Sequence, residues 1–141
     1  MLTLDDIARG RTLAQDAGMT REIGIAIAGL AAEELRAGRL EAARGILEGL
    51  VIVNPREATA WALLSQVERR QGRAPSALLC AEAASRLAPG DLQIRLVRAE
   101  ALLAVPGQEA AARTELDALA GAAGGAGDRA RQLRKALGNS R

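Results

Sequence analysis

The stretch GRLEAARGILEGLVIVNP, Gly38 to Pro55, returns downstream as GRAPSALLCAEAASRLAP, Gly72 to Pro89. Gly38 recurs as Gly72, Ala43 as Ala77 and Pro55 as Pro89, each pair 34 residues apart. No other feature of the chain constrains its fold as strongly. A unit of this size cannot bury its apolar face alone and must stack on copies of itself. Glycine lets the chain reverse and proline cannot continue a helix, so each copy reads as a helix entered from a turn and ended by a stop.

A further helix stands before each glycine. Thr20 can cap one from about Arg21 to Ala37, and its partner runs from about Leu40 to Val53, ahead of Asn54-Pro55. Glu57 to Gln71 and Pro75 to Leu87 repeat the pair, with Pro75 in the first turn, where its missing N–H costs nothing. A third pair spans about Leu92 to Val105 and Gln108 to Ala120, and its glycine, Gly107, comes one residue late, an insertion in the turn. In front of the repeats, Thr3 and Asp6 resemble a capping box, and Leu4, Ile7, Ala8, Arg11 and Ala14 follow at helical spacing up to Gly18. Behind them GAAGGAG, residues 121 to 127, reads as a flexible linker, and Asp128 to Leu137 as a short capping helix or a frayed tail. The expected division is therefore an N-terminal helix for packing or dimerisation over 1–22, three repeats over 23–120, and a linker with a basic helix or tail over 121–141.

Composition agrees with helices. Trp61 is the one aromatic residue, and Tyr, Phe and His are absent, so the core must be built from Leu, Ile, Val and alanine. Alanine and leucine favour helix, whereas strand formers are scarce. Residues 121 to 141 hold five bases and one acid, so the basic balance belongs to the tail and no basic body exists to track phosphates. Neither nucleic acid nor membrane insertion is expected, since the uncharged run Ile23 to Ala32 is half of what a bilayer requires. MLTLDDIARG has acids where a secretory signal needs bases, which points to a cytoplasmic protein. The arginine bias, eighteen of nineteen bases, suggests a GC-rich bacterial genome.

The repeat resembles the tetratricopeptide repeat. Trp61, Leu64, Ser65, Gly72, Ala77, Ala81, Ala84 and Pro89 fall on that family's signature positions, as do Ile27, Leu30, Ala31, Gly38, Ala43, Leu47, Leu50 and Pro55 one repeat earlier. The resemblance implies an all-α, right-handed superhelix of about three helix-turn-helix repeats, with a helix in front and a capping helix or tail behind. Glu34 and Glu68 stand where the family has tyrosine, and Ala81 where it has a large aromatic, so looser packing is expected. Arg95 and Arg98 replace apolar residues, which suits a terminal repeat facing solvent or a partner. With its three repeats and preceding helix, and with AEALLAVPGQEAAARTELDALA in the third, the chain is similar to the class II chaperones of bacterial type III secretion. That similarity implies a cytoplasmic chaperone binding a hydrophobic translocator segment before export, and a homodimer through the N-terminal helix. A needle-subunit chaperone of the same system, or a general repeat adaptor, stands as the alternative.

Catalysis finds no footing. Without histidine the usual general base is missing, Cys80 lacks a Cys-His partner, and Asp5-Asp6 and Glu33-Glu34 point to different helix faces. No cofactor or metal is expected. Binding remains, because stacked helix pairs curve and expose the inner face of each first helix as a groove. Positions at i, i+3, i+7 and i+10 select Ile25, Ala28, Ala32 and Leu35, then Thr59, Ala62, Gln66 and Arg69, then Gln93, Leu96, Glu100 and Leu103. The expected ligand is an extended peptide of a protein client, in a groove apolar at both ends and polar in the middle.

Overall fold

The computed structural model describes Leu4, Asp5 and Thr20 to Gly138. Among the described residues it consists of seven α-helices: α1 Arg21–Arg36, α2 Leu40–Val53, α3 Ala58–Arg70, α4 Ala74–Leu87, α5 Leu92–Ala104, α6 Glu109–Ala120 and α7 Gly125–Gly138. The N-terminal helix expected over 1–22, with its packing or dimer role, lies outside the described residues apart from the helical Leu4 and Asp5.

Local chemistry sets the helix ends. The Thr20 hydroxyl accepts from the Ile23 amide at 3.2 Å, and the Asp91 carboxylate accepts from the amides of Gln93 and Ile94 at 2.9 and 3.1 Å; both satisfy donors that a helix start leaves unpaired. Gly38, Gly72 and Gly107 turn the chain at φ of 78°, 79° and 86°, a conformation other residues rarely adopt. The first two turns share one hydrogen-bond pattern. Arg39 N–H donates to Glu34 O and Arg73 N–H to Glu68 O, each at 2.9 Å, while the Gly38 and Gly72 amides reach Leu35 O and Arg69 O at 3.1 Å. The same residues pair again through their side chains, Arg39 with Glu34 and Arg73 with Glu68.

Consecutive helices pack on each other, and α1 also meets α3, α3 meets α5, and α5 meets α7, whereas the backbones of α2, α4 and α6 do not approach one another closely. First helices that touch while second helices splay apart make a stack that curves, with the first helices inside the curve. The interhelix contacts are made of alanine: Ala31, Ala43, Ala60, Ala77, Ala81, Ala84, Ala99 and Ala101 are fully buried, beside the larger Leu47, Leu50, Leu116 and Leu119. Trp61 packs among these residues, and its indole N–H reaches back to the Pro55 carbonyl at 2.8 Å, fastening the α2–α3 turn to α3.

Positions that depart from the repeat signature have definite partners. Ala81, fully buried where the signature has a large aromatic, packs with Ala77, Ala101, Leu78 and Val97 in one cluster joining α4 and α5. Glu68, 3% exposed, occupies the tyrosine position as an ion-pair node, 2.7 Å from Arg73 Nε and 3.3 Å from Arg44 Nε of α2. Arg73 holds its carboxyl below the usual value against the opposing effect of burial, with help from Ser76 and Arg44. Arg95 and Arg98 do not simply face solvent either: Arg95 meets Glu115 of α6 at 2.8 Å, and Arg98 lies 3.9 Å from both Glu82 of α4 and Glu115.

The glycine run also departs from expectation. Its last three residues lie inside α7, which packs on α6 and α5 rather than hanging from a linker. Ala126, Ala130, Leu133 and Leu137 settle against Leu96, Leu116 and Leu119, and the Arg131 guanidinium donates to the carbonyls of Ala120 and Ala122 at 2.6 and 3.2 Å.

Cys80 is buried, and desolvation together with the nearby Glu68 carboxylate pushes its thiol up to about 11. Its thiolate is therefore scarce near neutral pH. Ellman's reagent at pH 8 should modify the native protein on the order of a hundredfold more slowly than the urea-unfolded chain. Comparable rates would mean that Cys80 is open to solvent.

Candidate functional site

The inner row of helices separates the expected groove residues into three groups. Ile25, Ala28 and Ala32 of α1 face Thr59 of α3 across a cavity of about 280 Å³, whose wall is completed by Gly29, Leu63 and the Glu57 side chain at its rim. Ile25 is 54% exposed, and what sets it apart from other exposed aliphatic residues such as Leu30 and Ile52 is that it borders this cavity. Nearly all of this wall is hydrocarbon, with Glu57 its one charged member.

A second group gathers at the other end. Arg69 of α3, Glu100, Leu103 and Ala104 of α5, and Arg129 and Leu133 of α7 surround a cavity of about 250 Å³. Arg69 Nη2 and a Glu100 carboxylate oxygen lie 3.1 Å apart and tie α3 to α5 within it. Gln93 sits against the start of α7, where a Cβ added to Gly125 would come within 3.7 Å of its amide nitrogen.

The third group is structural. Leu35 is 3% exposed within the α1–α3 core, Ala62 packs with Ala84 and Ile94, and Leu96 lies beneath Ala126 and Ala130. Leu96, expected to line the groove, is covered by α7 instead. Gln66 is half-buried and lines neither cavity. Gly29 and Leu63 escaped the sequence reading because each lies four residues after a chosen one, Ile25 and Thr59, and an inward helix stripe is wide enough to include i+4. Arg129 and Leu133 escaped it because the segment from Asp128 to Leu137 reads as a cap or tail and not as part of the inner row, although Ala126 lies 34 residues after Leu92, the first residue of α5.

No protein-family model matches the chain, and no curated protein matches it in sequence. Solved structures do match. The type III secretion translocator chaperone SycD of Yersinia enterocolitica aligns with a TM-score of 0.76 at 17% identity, over 89% of this chain and 97% of that one. A type III secretion complex from Aeromonas hydrophila aligns with a TM-score of 0.72 at 16% identity, over 96% of this chain and 94% of that one. SycD in an alternative dimer gives a TM-score of 0.61 at 18% identity, over 70% and 74%.

The fold is shared with these solved structures. It is all-α and tetratricopeptide-like, as the repeat implied. Within this fold the described residues contain no group of three or more metal-ligating side chains and no helix long and apolar enough to cross a membrane. On the second-helix side Glu82, Ser85, Arg86, Pro89 and Arg98 line a cavity of about 400 Å³, rich in charge where the α1–α3 cavity is apolar.

Proposed function

We propose that this chain is a bacterial secretion chaperone. In the cytoplasm it holds a hydrophobic segment of a translocator in its concave groove until export through a type III system. The observation that carries the reading is the α1–α3 cavity, an apolar recess on the inner row with Ile25 left in water at its edge. An aliphatic side chain entering it would remove apolar surface on both partners, at roughly 25 cal/mol per Å². The likeness in fold to SycD supports a translocator as the client. The chemistry required is recognition alone: an extended segment can lay alternate side chains on this face while polar residues of the row meet its backbone.

Ile25→Lys combined with Thr59→Lys tests the site, since both side chains are exposed and neither supports the core. Co-expressed with its translocator, the wild-type chaperone should capture that client, and the double variant should capture at least about tenfold less at unchanged helical content. This corresponds to a loss of about 1.4 kcal/mol or more. Undiminished capture of the translocator by the folded variant would overturn the groove assignment.

A further inference from the structure

The two cavities of the inner row differ in charge as well as position. At the α1–α3 end the charged group is Glu57. At the α7 end Arg69 and Arg129 face a single carboxylate, Glu100. Glu100 engages one nitrogen of Arg69, at 3.1 Å, and a guanidinium has five N–H donors, so further donors remain for a second acceptor. Arg129 is exposed, and its contact with Gln132 is a long one of 3.5 Å. Asp128, the one acid of α7, is engaged by Arg131. Leu103 and Leu133 form apolar walls beside these cations, which strengthens their field at the floor of the cavity.

Resting on the groove reading above, we propose that the client segment carries a carboxylate as well as an aliphatic anchor, and that the carboxylate is received between Arg69 and Arg129. The anchor enters the α1–α3 cavity, and Glu57 disfavours the opposite placement. Packed helices lie about 8–10 Å apart, so the two cavities, one and a half to two helices apart, are separated by roughly 12–20 Å. An extended chain advances about 3.3 Å per residue, so the acidic residue falls about five residues from the anchor. Recognition then needs both features at that spacing, which separates a client from other apolar segments and gives α7 a part in binding.

The test uses the full chain and short labelled peptides of glycine and serine, each with a Leu-Leu pair and a Glu five residues to one side or the other, beside twins with Lys in place of Glu. Fluorescence anisotropy at low salt should show one Glu peptide binding about fivefold to tenfold more tightly than its Lys twin, as expected for a partly exposed ion pair exchanged for a repulsion. R129K should keep the preference, R129E should abolish or invert it, and high salt should reduce it. Equal affinities for the Glu and Lys peptides, or a preference unchanged in R129E, would overturn the proposal. Charge-blind binding that Ile25→Lys still abolishes would sink this inference and leave the groove reading standing. Absence of binding by every peptide would count against both.

Discussion

Replacing Glu68 with alanine should lower the stability of the protein by about 3 kcal/mol, with a fall in melting temperature of roughly 10 °C. Its carboxylate is nearly sealed from water and joins Arg44 of α2 to Arg73 at the start of α4, so two segments lose a common partner on α3 at once. Breaking a buried ion pair costs about 3 to 5 kcal/mol when the stranded charge stays buried. Here the lower end applies, because Arg44 and Arg73 are partly exposed and Arg44 keeps Glu48 at 2.7 Å. Glu34, the equivalent residue one repeat earlier, is an internal control. It pairs with Arg39 in the same way but closer to solvent, so Glu34→Ala should change the melting temperature far less. Equal effects at the two positions would mean that burial of the Glu68 node does not matter.

The same node gives the protein an acid limb. The Glu68 carboxyl is held below its usual value of 4.5, with Arg73 the main cause, so the charged form is favoured by folding. Its contribution is fully present above that value and is lost as pH falls through the lower, folded-state value. Urea melts at successive pH values below about 4.5 should show declining stability in the wild type and a shallower decline in Glu68→Gln. Parallel curves for the two proteins would place the acid limb on other carboxylates.

Among the described residues, Gly127→Ala should be the most damaging of the glycine-to-alanine replacements. A Cβ there would stand 1.9 Å from the Ala122 carbonyl oxygen and 2.8 Å from its carbon, both backbone atoms that cannot swing aside. Overpacking of this kind costs about 1 to 3 kcal/mol and more where backbone must move, so a loss near 3 kcal/mol and a melting temperature lower by roughly 10 °C are expected. The relief available is for α7 to leave α6, exposing Leu96, Leu116 and Leu119, and limited proteolysis should then cut between residues 121 and 126. Gly45 offers the contrast, since a Cβ added there meets nothing within 4 Å. Gly45→Ala should stabilise α2 by about 0.5 to 1 kcal/mol through helix propensity. If Gly127→Ala melts like the wild type, α7 is not seated as described.

Loss of α7 has a consequence for binding too. Leu35 and Leu96, which helical spacing assigns to the groove, are poor sites for a groove mutation, because a carboxylate placed at either would be buried without a partner. Variants there unfold the protein or lift α7, and loss of binding would then say nothing about the groove. Exposed Ile25 and Thr59 avoid that ambiguity.

What could be read from the residues alone is what short-range chemistry controls. Thr20, Asp91 and the turn glycines act on amides within a few residues, Pro55 and Pro89 forbid continuation wherever they stand, and the 34-residue recurrence repeats those local instructions in order. Helix ends, turns and the stacked-repeat fold therefore follow from the sequence by itself. The neighbours of each face do not follow from it. Whether Leu96 meets water or Ala130 depends on a helix that begins thirty residues later behind a glycine run, and whether Glu68 is exposed or buried depends on Arg44 arriving from α2. Glycine in Gly125–Gly127 reads as a helix breaker by propensity, yet the missing Cβ at Gly127 is what lets α7 close onto Ala122. Tertiary structure alone decides such cases, because burial is a property of the space between helices and local preference carries no information about what fills it.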